Sequence, residues 1–165
     1  TGMPLIKKRV TVDGPSVKNP GNVEVLIGTP IHKVFDFCGG FTVPPKKVLM
    51  GGPMMGLAQY SLDLSVVKHT NALLAFDDKS SKIPESGACI RCGRCVWACP
   101  MNLMPLCLYN NAIKENIDEL NKYHVNDCIE CGCCSYVCPA KINLVQSLRL
   151  GKAKVKQAAA AKGGK

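Results

Sequence analysis

The sequence predicts an α+β chain in two parts: a small module of strands with one helix over residues 1–80, then an α-helical module over 81–150. Three observations carry this. Apolar residues alternate with a period of two in the first part. Helical periodicity fills the stretch between two cysteine runs and the stretch after them. A polar segment with Pro84 and Gly87, Asp77 to Gly87, reads as the linker between the two. Residues 151–165 read as a basic, flexible tail outside both modules.

The elements follow in chain order. Val10 and Val12 alternate with polar neighbours across Lys8 to Asp13, which predicts a strand. After the turn residues Asn19-Pro20-Gly21-Asn22, Val23, Val25 and Ile27 repeat the pattern as a second strand. Thr29 suits a helix N-cap and Pro30 the first helical position. Ile31, Val34, Phe35 and Cys38 follow at helical spacing, and Gly39-Gly40 end the helix. Lys47 to Met50 is a short strand, and Val66-Val67 and Ala72 to Phe76 are further candidates. In the second module one helix is expected from Pro105, with Leu106, Tyr109, Ile113, Ile117 and Leu120 as its apolar stripe. Another is expected after Asn143, bearing Leu144, Val145 and Leu148.

The second module carries the chemistry. Cys89-x-x-Cys92-x-x-Cys95-x-x-x-Cys99-Pro100 recurs as Cys128-x-x-Cys131-x-x-Cys134-x-x-x-Cys138-Pro139. Each is the bacterial ferredoxin-type run that holds a 4Fe–4S cluster. Cysteines three apart on a tightly wound loop aim three sulfurs at one small volume, while the fourth falls on the chain exit and faces away. In two-cluster ferredoxins that fourth cysteine ligates the other cluster. Cys89, Cys92, Cys95 and Cys138 are therefore assigned to one cluster, and Cys128, Cys131, Cys134 and Cys99 to the other. Gly93 and Gly132 follow the second cysteine of each run, where a residue without Cβ accepts positive φ. Structural zinc sites use paired CxxC knuckles with a spacer, which this doubled triple run does not match. The regular repeat also argues against disulfides. The repeat implies pseudo-two-fold symmetry about the cluster pair.

Composition narrows the remaining readings. Hydrophobic residues make up 47% of the chain, enough for buried cores, yet no stretch approaches the length of a membrane-spanning helix. No secretory signal opens the chain. It begins at Thr1 in what reads as mid-domain sequence and is taken as a fragment of a longer polypeptide. The formal charge of +9 falls to about +5 once two clusters and their thiolates are counted. Lys141, Arg149, Lys152, Lys154, Lys156, Lys162 and Lys165 follow the last cysteine with no acid among them. Without interleaved aromatics this reads as a solvated tail rather than a nucleic-acid surface.

Other residues are weighed individually. Cys133 is read as a spectator, because Cys134 already meets the spacing. Cys38 and Cys107 are read as small buried hydrophobes on helical faces. Gly51 to Gly56 matches neither a P-loop nor GxGxxG and is read as a strand-to-turn connection. His32, His69 and His124 lack any ligand spacing, and no catalytic residue is assigned. Trp97 is expected to pack beside a cluster. Arg91 and Arg94 flank ligands of the first run, and Glu130 takes the place of Arg91 in the second. Positive side chains near a cluster raise its potential, so the Cys89 cluster is expected to be the higher of the two.

Several stretches together resemble a known family: Val23-Glu-Val-Leu-Ile-Gly-Thr29, Cys38-Gly-Gly40, Gly51-Gly-Pro-Met-Met-Gly56, both cysteine runs, and Leu144-Val-Gln146. The chain is similar in these, up to about Lys154, to the C subunit of the Rnf electron transport complex, the ion-translocating ferredoxin:NAD oxidoreductase. It also resembles, less fully, the cobalamin reductase of propanediol-utilisation microcompartments. The resemblance implies a β-grasp-like soluble-ligand-binding (SLBB) domain before a dicluster domain. It implies a peripheral subunit on the cytoplasmic side of the bacterial cell membrane, docked to other subunits of a membrane-bound electron transport complex. Single electrons would be relayed there between a flavin/NAD(H) site and those subunits through two 4Fe–4S clusters. Family members carry FMN and NADH in a preceding domain. No Gly-rich dinucleotide fingerprint occurs in residues 1–165, so those cofactors are expected in a domain absent from this chain, which alone is not expected to catalyse. A cluster-braced structural or docking module is the rival reading.

Overall fold

A computed structural model describes residues 2–163. The chain divides at Ile83/Pro84 into two compact units, each of which has its own core.

The first unit is a mixed sheet with one helix. Strands β1 (Lys7–Asp13) and β2 (Gly21–Leu26) form an antiparallel hairpin. Helix α1 (Ile31–Phe37) follows, then β3 (Lys47–Met50), β4 (Leu57–Gln59) and β5 (Ala72–Phe76). The sheet order is β2-β1-β5-β3-β4, with β1 and β5 parallel and the other pairs antiparallel. This is the α+β, β-grasp-like arrangement expected of an SLBB domain. The alternation in β1 places Val10 and Val12 on one face, both with no exposure, against Ile31, Phe35 and Leu73, which are also fully buried. Each such side chain contributes about 1.5–3 kcal/mol on burial, so this face fixes the register of the hairpin.

Several local expectations are corrected here. Helix α1 starts one residue late: Pro30 is the N-cap and Thr29 lies outside it, with no side-chain cap bond. Val66-Val67 is not a strand. Val66 is buried as an anchor, accepting from Gly28 N–H and donating to the Thr29 carbonyl. Strand β4 was not foreseen, because Leu57-Ala58-Gln59 is too short to show a period. Gly51 to Gly56 is the β3–β4 connection. Gly51 has φ +107°, and a Cβ on Gly56 would stand 2.5 Å from the Gly52 carbonyl oxygen, so the turn closes only with glycine there.

The second unit is helical. It contains α2 (Arg94–Trp97), α3 (Pro105–Ile113), α4 (Ile117–Lys122), a 3-10 turn at Val125–Asp127, α5 (Cys133–Tyr136) and α6 (Leu144–Gly163). The single helix expected from Pro105 through Leu120 is two. Glu115 takes φ +56°, and Asn116 caps α4 by accepting from Glu119 N–H at 3.2 Å. Leu108, Ala112, Leu120, Val125, Leu148 and Val155 form the core where α3, α4 and α6 meet. Gly151 permits that approach: a Cβ there would lie 3.2 Å from Ala112 Cβ and 3.4 Å from Leu120 Cδ1.

The basic segment after Leu150 continues α6 instead of leaving the fold. Leu144, Leu148, Gly151 and Val155 make one stripe at helical spacing, and Val155 is buried. Two of its cations are paired, Lys154 with Glu115 at 2.5 Å and Lys152 with Glu130 at 2.8 Å, and Arg149 just before it meets Glu130 at 3.0 Å. Lys165 lies outside the described residues.

Candidate metal centre

The two cysteine runs fold alike. Arg91 and Glu130 take φ +54° and +58°, and Gly93 and Gly132 take φ +75° and +82°. These left-handed residues curl each loop so that Arg91 N–H reaches Cys89 Sγ, and Glu130 N–H reaches Cys128 Sγ, each at 3.4 Å. The third cysteine of each run, Cys95 or Cys134, sits in the short helix that follows. After the fourth cysteine each chain turns again at φ +52° or +53°, at Asn102 and Lys141. The repeat seen in the sequence is thus a structural one.

The ends of the two runs are crossed. Gly87 N–H donates to the Ala140 carbonyl at 2.9 Å and Ser86 Oγ to the Lys141 carbonyl at 2.8 Å. This ties the entrance of the first run to the exit of the second. Cys138 consequently lines a hollow of about 250 Å³ together with Cys89, Cys92 and Cys95. Cys99 lines a second hollow, of about 20 Å³, together with Cys128, Cys131 and Cys134. Each hollow is thus lined by three cysteines of one run and the last of the other, with Cys107 also in the wall of the first. Among the described residues no three Cys, His, Asp or Glu side chains gather tightly enough for a single metal ion.

The hollows differ. The walls of the first include Val96, Leu106, Ile142 and Leu144, and its Cys89 and Cys92 are exposed. In the second, Cys99, Cys128 and Cys131 are half-buried and Cys134 is buried, and burial pushes the Cys134 thiol up to about 11. Burial likewise raises Cys128 and Cys95. Cluster ligands must be thiolates, so cluster insertion has to displace protons that burial favours keeping. The donor sets, the left-handed loops and the backbone N–H groups on sulfur suit the ligation of a cubane cluster at each group of four cysteines.

Helix α6 adds what the sequence did not reveal. Lys152 Nζ donates to the Cys128 carbonyl and to Glu130 Oε1, both at 2.8 Å, and Arg149 Nε donates to Glu130 Oε2 at 3.0 Å. Lys152, foremost, and Arg149 hold the Glu130 carboxyl below its ordinary range. The expected order of cluster potentials rested on Arg91 and Arg94 near the first ligands and Glu130 near the second; Glu130 is paired with Lys152 and Arg149, and both arginines are exposed. Trp97 does not pack into the unit as expected, being 91% exposed. Cys107 is half-buried in the wall of the first hollow rather than in the core. Cys133 does not line the second hollow. Cys38 is a core residue.

Comparison with known proteins agrees with both units. The SLBB domain family matches residues 9–58, and the 4Fe–4S dicluster domain family matches residues 88–142. The chain is 45% identical over 155 residues to the C subunit of the Na(+)-translocating ferredoxin:NAD(+) oxidoreductase complex of Acetobacterium woodii, a match that covers 94% of this chain and 35% of that protein. It is 46% identical over 149 residues to the proton-translocating counterpart of Clostridium ljungdahlii, covering 90% of this chain and 33% of that one. It is 44% identical over 156 residues to the C subunit of the ion-translocating oxidoreductase complex of Rhodobacter capsulatus, covering 94% and 30%. The chain therefore spans about a third of the length of the curated relatives it matches. Over almost all of its own length the chain is similar to the C subunits of ion-translocating oxidoreductase complexes, and its two units match the SLBB domain family and the 4Fe–4S dicluster domain family, the second of which implies two 4Fe–4S clusters.

Proposed function

We propose that this chain relays single electrons within an ion-translocating ferredoxin:NAD oxidoreductase, through one cluster on Cys89, Cys92, Cys95 and Cys138 and another on Cys128, Cys131, Cys134 and Cys99. The observation that carries this is the sorting of eight cysteines into two hollows, each holding three sulfurs of one run and the last of the other. When bound, each cluster accepts and donates one electron. The protein holds the ligands and aims backbone N–H groups at Cys89 and Cys128. Because the fourth ligands are exchanged, the two centres share one folded frame, which keeps them at a fixed separation. The partners are other subunits of a membrane-bound complex, with the chain peripheral on the cytoplasmic side. No helix among the described residues is long and apolar enough to cross a membrane. Flavin and NAD(H) chemistry is assigned to parts of such proteins outside the matched third.

The test is to purify the protein anaerobically, determine iron and acid-labile sulfide, and record spectra before and after dithionite. The proposal expects about eight irons and about eight sulfides per chain, with reversible bleaching. Zinc in place of iron, or clusters that cannot be reversibly reduced, would refute the relay.

A further inference from the structure

The first hollow contains one thiol more than a cubane needs. Cys107 lines it together with Cys89, Cys92, Cys95 and Cys138, whereas a 4Fe–4S cluster takes four thiolates. The second hollow has four cysteines in its wall. The difference departs from the internal symmetry. The two runs stand 39 residues apart, and at that shift Leu106 and Ile142 in the first wall correspond to Val145 and Leu103 in the second. Cys107 corresponds to Gln146, which lines neither hollow.

Helix α3 fixes where Cys107 stands. Its Leu108 and Ala112 are buried in the core shared with α4 and α6, while Cys107 is half-buried and belongs to none of the cores. A free cysteine is ordinarily a small core hydrophobe; this one borders the hollow that gathers four metal-binding thiols. Those four are not held alike. Cys95 lies within α2 and Cys138 is buried. Cys89 and Cys92 are exposed, on the loop that precedes α2. Arg91 N–H donates to Cys89 Sγ at 3.4 Å, and among the described residues no N–H group donates to Cys92 Sγ. Cys92 is therefore a ligand on a loop, open to water and without a donor to hold it. Exposed thiolates are also those that oxidants and alkylating agents reach.

Resting on the cluster assignment proposed above, we propose that Cys107 is a reserve ligand of the first centre, which takes over an iron when Cys92 releases it. In that exchange the iron–sulfur bond to Cys92 breaks and one to Cys107 forms. The proton that Cys107 gives up passes to the released Cys92 thiolate, and no electron is transferred. The cluster keeps four thiolates throughout. The first hollow, about 250 Å³ against about 20 Å³ for the second, leaves room for the exchange. The second centre has no such spare, since Cys133 lies outside its wall.

The test compares the unaltered protein with Cys92→Ala, Cys107→Ala and the double variant, all purified anaerobically. Three quantities are read: iron per chain, the electron paramagnetic resonance spectrum after dithionite, and the cysteines that iodoacetamide labels, located by mass spectrometry. The unaltered protein and each single variant should hold about eight irons, and the double variant no more than about four. The first centre's signal should persist in Cys92→Ala with a changed shape and vanish from the double variant. The second centre's signal, unchanged in all four, reports that the unit has folded. Iodoacetamide should label Cys107 in the loaded unaltered protein and spare it in loaded Cys92→Ala. Cys92→Ala with about four irons or fewer, or with Cys107 labelled while loaded, would overturn the reserve role. So would about eight irons in the double variant, because three cysteines would then suffice, or about four in Cys107→Ala, which would make Cys107 a resident ligand. An unaltered protein without iron would instead refute the cluster assignment itself, and the reserve role with it.

Discussion

Lys152 is the residue through which α6 holds the second ligand loop, and Lys152→Met removes that hold while keeping the apolar stem. The amino group makes two charged hydrogen bonds at 2.8 Å, to the Cys128 carbonyl and to Glu130 Oε1, from a side chain only 17% exposed. Hydrogen bonds to charged groups contribute about 1.5–3 kcal/mol each. Glu130 keeps Arg149 and is about one-third exposed, so water replaces much of its loss. The Cys128 carbonyl loses a charged donor. The sum is about 2 kcal/mol, a factor of about 30 in the folding equilibrium, and for a unit of this size roughly 10 °C in the thermal midpoint. Thermal scans of cluster-loaded protein under argon, at one scan rate, read this as earlier loss of cluster absorbance. Lys152→Arg should recover part of it. A shift below about 2 °C for Lys152→Met would refute the idea that α6 braces this loop.

The remaining predictions are briefer. Lys152 and Arg149 depress the Glu130 carboxyl, so its pairing stabilises fully above the unfolded glutamate value of ~4.3 and is lost as pH falls through the lower folded value. The stability gap between wild type and Glu130→Gln should therefore stay constant from about pH 8 to about pH 5; a gap that closes within that range contradicts the pairing. Gly14→Ala should prevent folding of the SLBB unit, because φ is +121° and the added Cβ would stand 2.1 Å from the Ala75 carbonyl oxygen; a native-like circular dichroism spectrum and midpoint would contradict this. Val155→Asp should destabilise the helical unit by about 3 kcal/mol or more, since a charge would enter an apolar core; an unchanged midpoint would mean that α6 beyond Gly151 contributes nothing. Removing iron and sulfide with an anaerobic chelator should abolish the helical unit's transition and leave that of the first unit in place; coincident loss of both would contradict the independence of the two cores.

What could be read in advance was whatever has a short period or a fixed spacing. The hairpin was legible from Val10, Val12, Val23 and Val25, and the dicluster domain from the two cysteine runs. Elements ended by a single polar residue were missed. Asn116, followed three residues later by Glu119, is a capping signal inside an otherwise continuous apolar stripe. The role of α6 was hidden for two reasons. Gly151 reads as a helix end, whereas here it makes room for Ala112 and Leu120. Lysines on a run also read as solvated, until Glu130 and Glu115 are found opposite them. Pairings between residues 19 to 39 positions apart leave no local pattern. The exposure of Trp97 was equally illegible, because a lone large apolar residue is ordinarily read as packed.

The exchange of the fourth cysteine is tested most directly by the electron paramagnetic resonance spectrum of dithionite-reduced Cys138→Ser, with Cys89→Ser as the reference for one centre and Cys128→Ser for the other. Cys138→Ser should alter the signal that Cys89→Ser alters and leave its neighbour intact. If it alters the Cys128 signal instead, each run encloses its own cluster and the crossed frame is wrong.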